Sequence, residues 1–142
     1  MWSPGPLARR RMRWAYALFV AQAVLRIPAR TGFSLQVPTC EVKLDLALAA
    51  LSLTKYAHIV LFGLFFLMTW AVLSGRLRTR FAWAMTATLV MGLVVELEQG
   101  ATGTGNCRMR DLIPDAAGGL VALALILLSL RARAVVHARR VH

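Results

Sequence analysis

The sequence predicts an all-α membrane protein, a four-helix transmembrane bundle with both termini in the cytoplasm, and three observations support this prediction. The chain is 58% hydrophobic with a mean hydropathy of +0.62, which is more apolar surface than a soluble domain of 142 residues can bury. Four apolar segments approach or reach the roughly 17 to 25 residues that cross a bilayer. The positive charges stand mostly between these segments. We therefore expect residues 1–142 to form a single membrane domain.

The first predicted span covers about residues 14–27 and is short. Flanking side chains such as Arg26 must snorkel to the membrane interface for it to cross. A secretory signal peptide is the competing interpretation, because a basic segment followed by a short apolar stretch looks the same. We favour a retained helix, since the small residues Ala21 and Ala23 lie inside the apolar run instead of after it.

Three further spans are predicted at residues 56–73, 81–99 and 112–130. The apolar segment 44–53 is too short to cross alone and is expected at the interface, leading into the second span. Asp111 is predicted to cap the last span, which tolerates Pro114 in its first turn. Gly118 and Gly119 give that span a small-residue side for close packing against another helix.

The Lys and Arg residues set the predicted orientation, because short cytoplasmic loops retain them. Most of the 17 lie at the two termini and in the loop between the second and third spans, whereas all six acidic residues fall on the opposite side. The acidic side is therefore predicted to be external. A nucleic-acid partner is not expected, because the charges separate spans and no aromatic residues interleave with a basic strip.

Polar residues occur in pairs at the external ends of the last three spans. The members of each pair are three or four residues apart and share a helix face: Lys55 and His58, Glu96 and Gln99, Asp111 and Asp115.

Each of these residues also has an ordinary structural explanation, as an interfacial Lys, a hydrogen-bonded His or a helix cap. Ionisable groups at the edge of a span are costly and usually face partners, so the three pairs together predict an external polar pocket. No metal site or cofactor is predicted. The candidate catalytic residues are His58, Glu96 and Asp111, and the candidate ligand-binding residues are Lys55, His58, Glu96, Gln99, Arg108, Arg110, Asp111 and Asp115.

These motifs resemble those of the VanZ-like family of small bacterial membrane proteins. The matching stretches are Lys55-Tyr-Ala-His58, Glu96-Leu-Glu-Gln99 and Asp111-Leu-Ile-Pro-Asp115-Ala-Ala-Gly118, in the family's order on successive spans. Asp115 stands where the family usually has Asn, and Gly105 stands where it tends to carry Arg. The resemblance implies a multi-pass protein of the bacterial inner (plasma) membrane, in the cell envelope, that confers antibiotic resistance to lipid-tailed glycopeptides such as teicoplanin.

Three functions are compatible with these residues. In the first, the pocket engages the headgroup of a membrane lipid or lipid-linked envelope molecule, with Lys55 and an Arg of the last loop holding negative groups. The second is a membrane enzyme acting on a lipid-linked substrate, with His58 or Glu96 as general base and Asp111 as its orienter or as an oxygen ligand to a divalent cation. No nucleophile motif is present, so the sequence does not decide whether the chain is an enzyme.

The third function is a small exporter. Four short spans suit that class, but a transport carboxylate is expected near the middle of the membrane, and every acid here lies at one edge. The sequence does not determine the oligomeric state, so a homo-oligomer is neither required nor excluded.

The two cysteines, Cys40 and Cys107, fall in predicted external loops and hence in an oxidising compartment. Two alternatives follow for them. They form a disulfide between the first and third loops, or they remain two unpaired thiols at the interface.

Overall fold

A computed structural model describes residues 10, 13–18, 20–21, 36–43, 45–103 and 105–139. Of these residues 81% are helical and none belongs to a strand, which confirms the all-α prediction. Residues 10, 13–18 and 20–21 are helical, and we label this helix α1. The elements that follow are α2 (Leu46–Ser52), α3 (Tyr56–Val72), α4 (Leu77–Thr102), a one-turn 3-10 helix (Met109–Asp111) and α5 (Leu112–Arg139).

Within the described residues, two helical stretches are each long and apolar enough to cross a membrane: α4, and Met109–Arg139, which contains α5. A third candidate arises if α2 and α3, which are bent by 70° at a short break, form one broken span. The predicted spans 56–73, 81–99 and 112–130 correspond to α3, α4 and α5. Only part of the predicted span 14–27 lies within the described residues, so four spans and cytoplasmic termini stay predictions.

The helix α4 is longer at both ends than predicted, beginning at Leu77 and ending at Thr102. At its start, the guanidinium of Arg80 lies 3.9 Å from the centre of the Trp70 ring, and its Nη2 donates a hydrogen bond to the Trp70 carbonyl at 2.6 Å. This cation–π contact allows an arginine that we expected in the loop to lie within the helix. At the end, Gly103 adopts the left-handed conformation, φ 65°, that terminates many helices.

The helices α3 and α5 run parallel and make the most extensive helix contact. Gly118 of α5 lies directly against α3: a Cβ atom there would overlap the carbonyl oxygen of Ile59 and lie 2.8 Å from the nitrogen of Gly63. The small-residue side predicted for the last span is therefore present, and it lets the two backbones approach closely.

A small apolar core lies among α3, α4 and α5. Phe66 of α3 and Ala84 of α4 are fully buried, and Ala122 and Ile126 of α5 pack with them. Large apolar side chains elsewhere on the same helices are exposed, among them Leu64, Trp83 and Leu125. Apolar residues facing both inward and outward are expected of helices whose solvent is lipid.

Residues 36–43 run beside the loop that follows α4. Glu41 forms an isolated parallel β-bridge with Arg108, its N–H donating to the Cys107 carbonyl at 2.9 Å and its carbonyl accepting from the Met109 N–H at 3.1 Å. A disulfide between Cys40 and Cys107, whose Cα atoms are 4.6 Å apart, joins the same two segments. Of the two alternatives for the cysteines, the structure has the bridge.

Candidate functional site

The polar end of the bundle is the end at which α3 and α5 begin and α4 ends. Three carboxylates meet there, and we call Glu96, Asp111 and Asp115 the carboxylate cluster. They are 1%, 4% and 1% exposed, respectively. Buried charges are costly unless they are paired and hydrogen-bonded, so the partners of each carboxylate determine what the site can do.

Asp111 forms an ion pair with Lys55, since its Oδ2 atom contacts Nζ. Lys55 immediately precedes α3 and Asp111 immediately precedes α5, so the two parallel helices bring these residues side by side. The other oxygen of Asp111, Oδ1, is buried and has no hydrogen-bond partner among the described residues. The helix-capping role predicted for Asp111 is therefore wrong, because its carboxylate bonds across to α3 instead of to its own helix.

Asp115 bonds to His58 along the same pair of helices, about one turn further from their starts. His58 Nδ1 lies 2.9 Å from Asp115 Oδ1, and the imidazole stacks on Phe62 with ring centres 6.0 Å apart. The Oδ2 atom of Asp115 lies against Gly92 of α4, where a Cβ atom would overlap it. An ionised carboxylate only accepts hydrogen bonds, so Nδ1 is the donor when Asp115 is charged.

Glu96 approaches the other two carboxylates from α4. Its Oε2 atom accepts a hydrogen bond from the Arg108 backbone N–H at 2.7 Å, whereas Oε1 is buried and has no hydrogen-bond partner among the described residues. Glu96 lies within electrostatic range of His58, Asp111 and Asp115. Three helices and one loop thus bring five of the predicted site residues together: Lys55, His58, Glu96, Asp111 and Asp115.

The two predicted arginines have different partners from those we expected. Arg108 Nε lies 3.7 Å from Glu41 Oε2, and Arg110 Nη1 lies 3.5 Å from Glu41 Oε1. Their guanidinium groups are therefore paired with Glu41, although we expected them beside the carboxylate cluster. Gln99 lies against Gly105 in the loop after α4. No contact between Gln99 and the carboxylate cluster is present among the described residues, so its role in ligand binding stays a prediction.

A polar groove of about 250 Å³ that no sequence pattern predicted lies beside the disulfide. Arg108 connects it to the cluster, because its side chain lines the groove while its backbone bonds Glu96. The groove depends on contact between two loops that are distant in sequence, and the two cysteines were the only signal for that contact. Its polar lining includes Gln36, Thr39, Glu41, Asn106 and Arg108.

The described part of the chain contains no group of three or more His, Cys, Asp or Glu residues arranged to hold a metal ion. The chemistry of the site lies in its hydrogen bonds and charges. Three carboxylates face Lys55 and His58, so with all three ionised the cluster is net negative even when His58 is protonated. Carboxylate oxygens accept hydrogen bonds, and the free atoms Glu96 Oε1 and Asp111 Oδ1 can take them from a bound molecule.

Comparison with known proteins gave one finding. A family model described as VanZ/LLP1 matches residues 6–130, which is most of the chain. The matched range includes the whole carboxylate cluster and both loops of the groove. No match was found among curated proteins or among solved structures.

Proposed function

The chain belongs to the VanZ/LLP1 family, and we propose that it is a cell-envelope membrane protein whose polar end is external and binds the headgroup of an envelope lipid or lipid-tailed glycopeptide. Its physiological effect in this proposal is reduced susceptibility to glycopeptides such as teicoplanin. The family match and the apolar helices support a membrane protein.

The observation that carries the proposal is the presence of two free carboxylate oxygens in a buried cluster. Leaving a buried polar atom without a partner costs about 1–3 kcal/mol, and more when it is charged. Native proteins commonly keep an unpaired buried polar atom at a site where that atom binds a ligand. Among the described residues, Glu96 Oε1 and Asp111 Oδ1 are such atoms, and they lie in a cluster fixed on three helices instead of in an adaptable loop.

The position of the cluster along the helices favours a headgroup over a soluble metabolite. The cluster lies where α3 and α5 begin and α4 ends, the depth at which a bilayer changes from hydrocarbon to polar headgroups. The adjacent helix faces are apolar and exposed, as expected for contact with acyl chains. The side chain of Lys55 is 34% exposed beside the buried carboxylates, so it marks the accessible side of the site. An amphiphile can therefore place its tail along the bundle and its polar group at the cluster.

The external orientation is supported by charge and by redox chemistry. Lys and Arg residues concentrate in short cytoplasmic loops, and Arg76, Arg78 and Arg80 lie at the end of the bundle opposite the cluster. Disulfides persist in oxidising compartments, and the Cys40–Cys107 bridge lies at the polar end.

The test uses a teicoplanin-sensitive bacterial host that lacks a VanZ-like gene. We expect expression of the chain to raise the inhibitory concentration of teicoplanin while leaving that of a glycopeptide without a lipid tail unchanged. Cells carrying the empty vector are the control, and immunoblotting of membranes verifies that the protein is present. Unchanged susceptibility to teicoplanin in cells with the protein in their membrane would contradict the proposal.

A membrane enzyme acting on a lipid-linked substrate is the second candidate, and the His58–Asp115 contact favours it. A buried carboxylate that bonds Nδ1 fixes the orientation of the imidazole and raises the basicity of its other nitrogen. His58 would be the general base and Asp115 its orienter, a role that we had assigned to Asp111 from the sequence. The discriminating measurement is whether envelope lipids extracted from expressing cells contain a product that His58→Ala cells lack. The exporter has no comparable support.

A further inference from the structure

Resting on the proposed function, we infer that the ligand group recognised by the carboxylate cluster is a primary ammonium, bound by the free oxygens of Glu96 and Asp111. This inference specifies the chemistry of the ligand at the proposed site. It also reverses the sequence-based expectation that Lys55 and a loop arginine hold a negative group.

The cations that the described residues place beside the carboxylate cluster are already in ion pairs. Lys55 contacts Asp111, and both Arg108 and Arg110 face Glu41. A phosphate or carboxylate ligand would have to break these ion pairs to gain a cationic partner. It would also have to approach a buried cluster that is net negative, against electrostatic repulsion.

Among the described residues of the polar end, three buried side-chain atoms lack a hydrogen bond: Arg108 Nε, which lies in an ion pair with Glu41 at 3.7 Å, and two carboxylate oxygens. Glu96 Oε1 and Asp111 Oδ1 are buried without hydrogen bonds to the described residues, and their side chains are more than nine-tenths buried. A ligand satisfies such atoms only by donating hydrogen bonds. A primary ammonium carries three N–H donors on one positive charge, so it can bond both oxygens and offset the negative charge of the cluster.

A hydroxyl group fits less well, because it donates only one hydrogen bond and carries no charge. A quaternary ammonium carries the charge but has no N–H. The cluster therefore distinguishes among cations by hydrogen bonding as well as by charge. Primary ammonium groups reach such a site either on a lipid headgroup or on a soluble amine, and the two sources differ in whether an acyl chain is attached.

The experiment measures the thermal unfolding midpoint of the full-length protein in detergent during titration with defined probes. Short-chain phosphatidylethanolamine presents a primary ammonium, phosphatidylcholine presents the same phosphate with a quaternary ammonium, and phosphatidylglycerol presents no cation. Ethanolamine tests the ammonium without a lipid. A ligand that binds the native state raises the unfolding midpoint, so half-saturation can be compared between probes in the wild-type protein.

We expect phosphatidylethanolamine to reach half-saturation at a roughly tenfold lower concentration than phosphatidylcholine, because the N–H donors are what the buried oxygens lack. Phosphatidylglycerol is expected to bind more weakly than either. An equal effect of ethanolamine would support the ammonium and indicate a soluble source, whereas an effect confined to phosphatidylethanolamine would support it and indicate a lipid. Equal half-saturation for phosphatidylethanolamine and phosphatidylcholine, stronger binding of phosphatidylglycerol, or no shift with any probe would overturn the inference.

Variants test whether the preference for phosphatidylethanolamine arises at Glu96. Glu96→Gln is expected to abolish the preference for phosphatidylethanolamine, whereas Glu98→Gln, on another face of α4, is expected to keep it. A preference that survives in Glu96→Gln would overturn the assignment to this site. Glycopeptide susceptibility in cells is a separate readout from these titrations, so resistance in cells combined with no ammonium preference would reject only the inference and would leave the proposed function intact.

Discussion

His58 Nδ1 lies 2.9 Å from Asp115 Oδ1, and this contact joins the first turn of α3 to the first turn of α5. It follows the ion pair of Lys55 and Asp111 along the same two helices. The Lys-x-x-His motif at the start of α3 and the Asp-x-x-x-Asp motif at the start of α5 therefore contact each other at both positions, because residues three or four apart lie on one helix face. Two motifs that are far apart in sequence form one set of contacts.

The His58–Asp115 contact predicts which substitutions of Asp115 are tolerated. Asp115→Asn should keep membrane abundance and unfolding midpoint close to wild type, because an amide oxygen still accepts from the imidazole N–H. Asp115→Leu has a similar size but no acceptor, and should destabilise the protein by about 1–3 kcal/mol because it leaves His58 unpaired. Thermal unfolding in detergent measures both variants. Equal destabilisation by Asn and Leu would show that the hydrogen bond contributes little.

The close approach of α3 and α5 predicts a strong effect of Gly118→Ala. The added methyl group would overlap the backbone carbonyl of Ile59, which cannot move without displacing the helix, so we expect a loss of about 1–3 kcal/mol. Gly119→Ala is the matched control, because its methyl group would meet the flexible end of Met85 at 3.0 Å. Membrane abundance and unfolding midpoint should fall for Gly118→Ala and change less for Gly119→Ala. The reverse order would contradict this helix packing.

The disulfide predicts that neither cysteine is alkylated in unreduced, unfolded protein, whereas both are alkylated after reduction. Replacing Cys40 and Cys107 together by Ser should destabilise the protein, by on the order of 4 kcal/mol in the chain-entropy model for a loop of this length. Mass spectrometry of the alkylated protein checks the first expectation, and unfolding in detergent checks the second. Alkylation of both cysteines without reduction would rule the bridge out.

Topology is predicted by the distribution of Lys and Arg residues. Reporter fusions after His142 and at Arg78 should both score cytoplasmic, and a fusion within residues 102–106 should score external, because cytoplasmic loops retain positive charge. A fusion at the C-terminus that scores external would contradict the orientation. It would also place the disulfide in a reducing compartment.

Hydropathy located α3, α4 and α5 because a helix that crosses lipid must be continuously apolar. It failed at the start of α4, where Arg80 lies over the Trp70 ring. Such a tertiary contact depends on how two helices pack, and no local pattern records it. Segment 44–53 was predicted to lead into the second span, but the 70° angle between α2 and α3 was not predicted, because the angle between two helices depends on tertiary packing.

The helix-borne part of the site was predictable and the loop-borne part was not. Residues on one face of a helix keep fixed relative positions, so Lys55, His58, Glu96, Asp111 and Asp115 were grouped from their spacing. The partners of Arg108 and Arg110 depend on the loop of residues 36–43, which the disulfide brings alongside them. The sequence offers no periodicity for that contact, so the pairing of both arginines with Glu41 was not predicted.

The central claim is that Glu96 belongs to a functional pocket and does not merely support the fold. The most direct test is teicoplanin protection per unit of membrane-inserted protein in wild type, Glu96→Gln and the control Glu98→Gln. We predict that Glu96→Gln loses protection while its membrane abundance stays near wild type, as should Asp111→Asn, and that Glu98→Gln retains both. Full protection by a well-expressed Glu96→Gln variant would contradict the claim, and so would a loss of protection that only matches a loss of abundance.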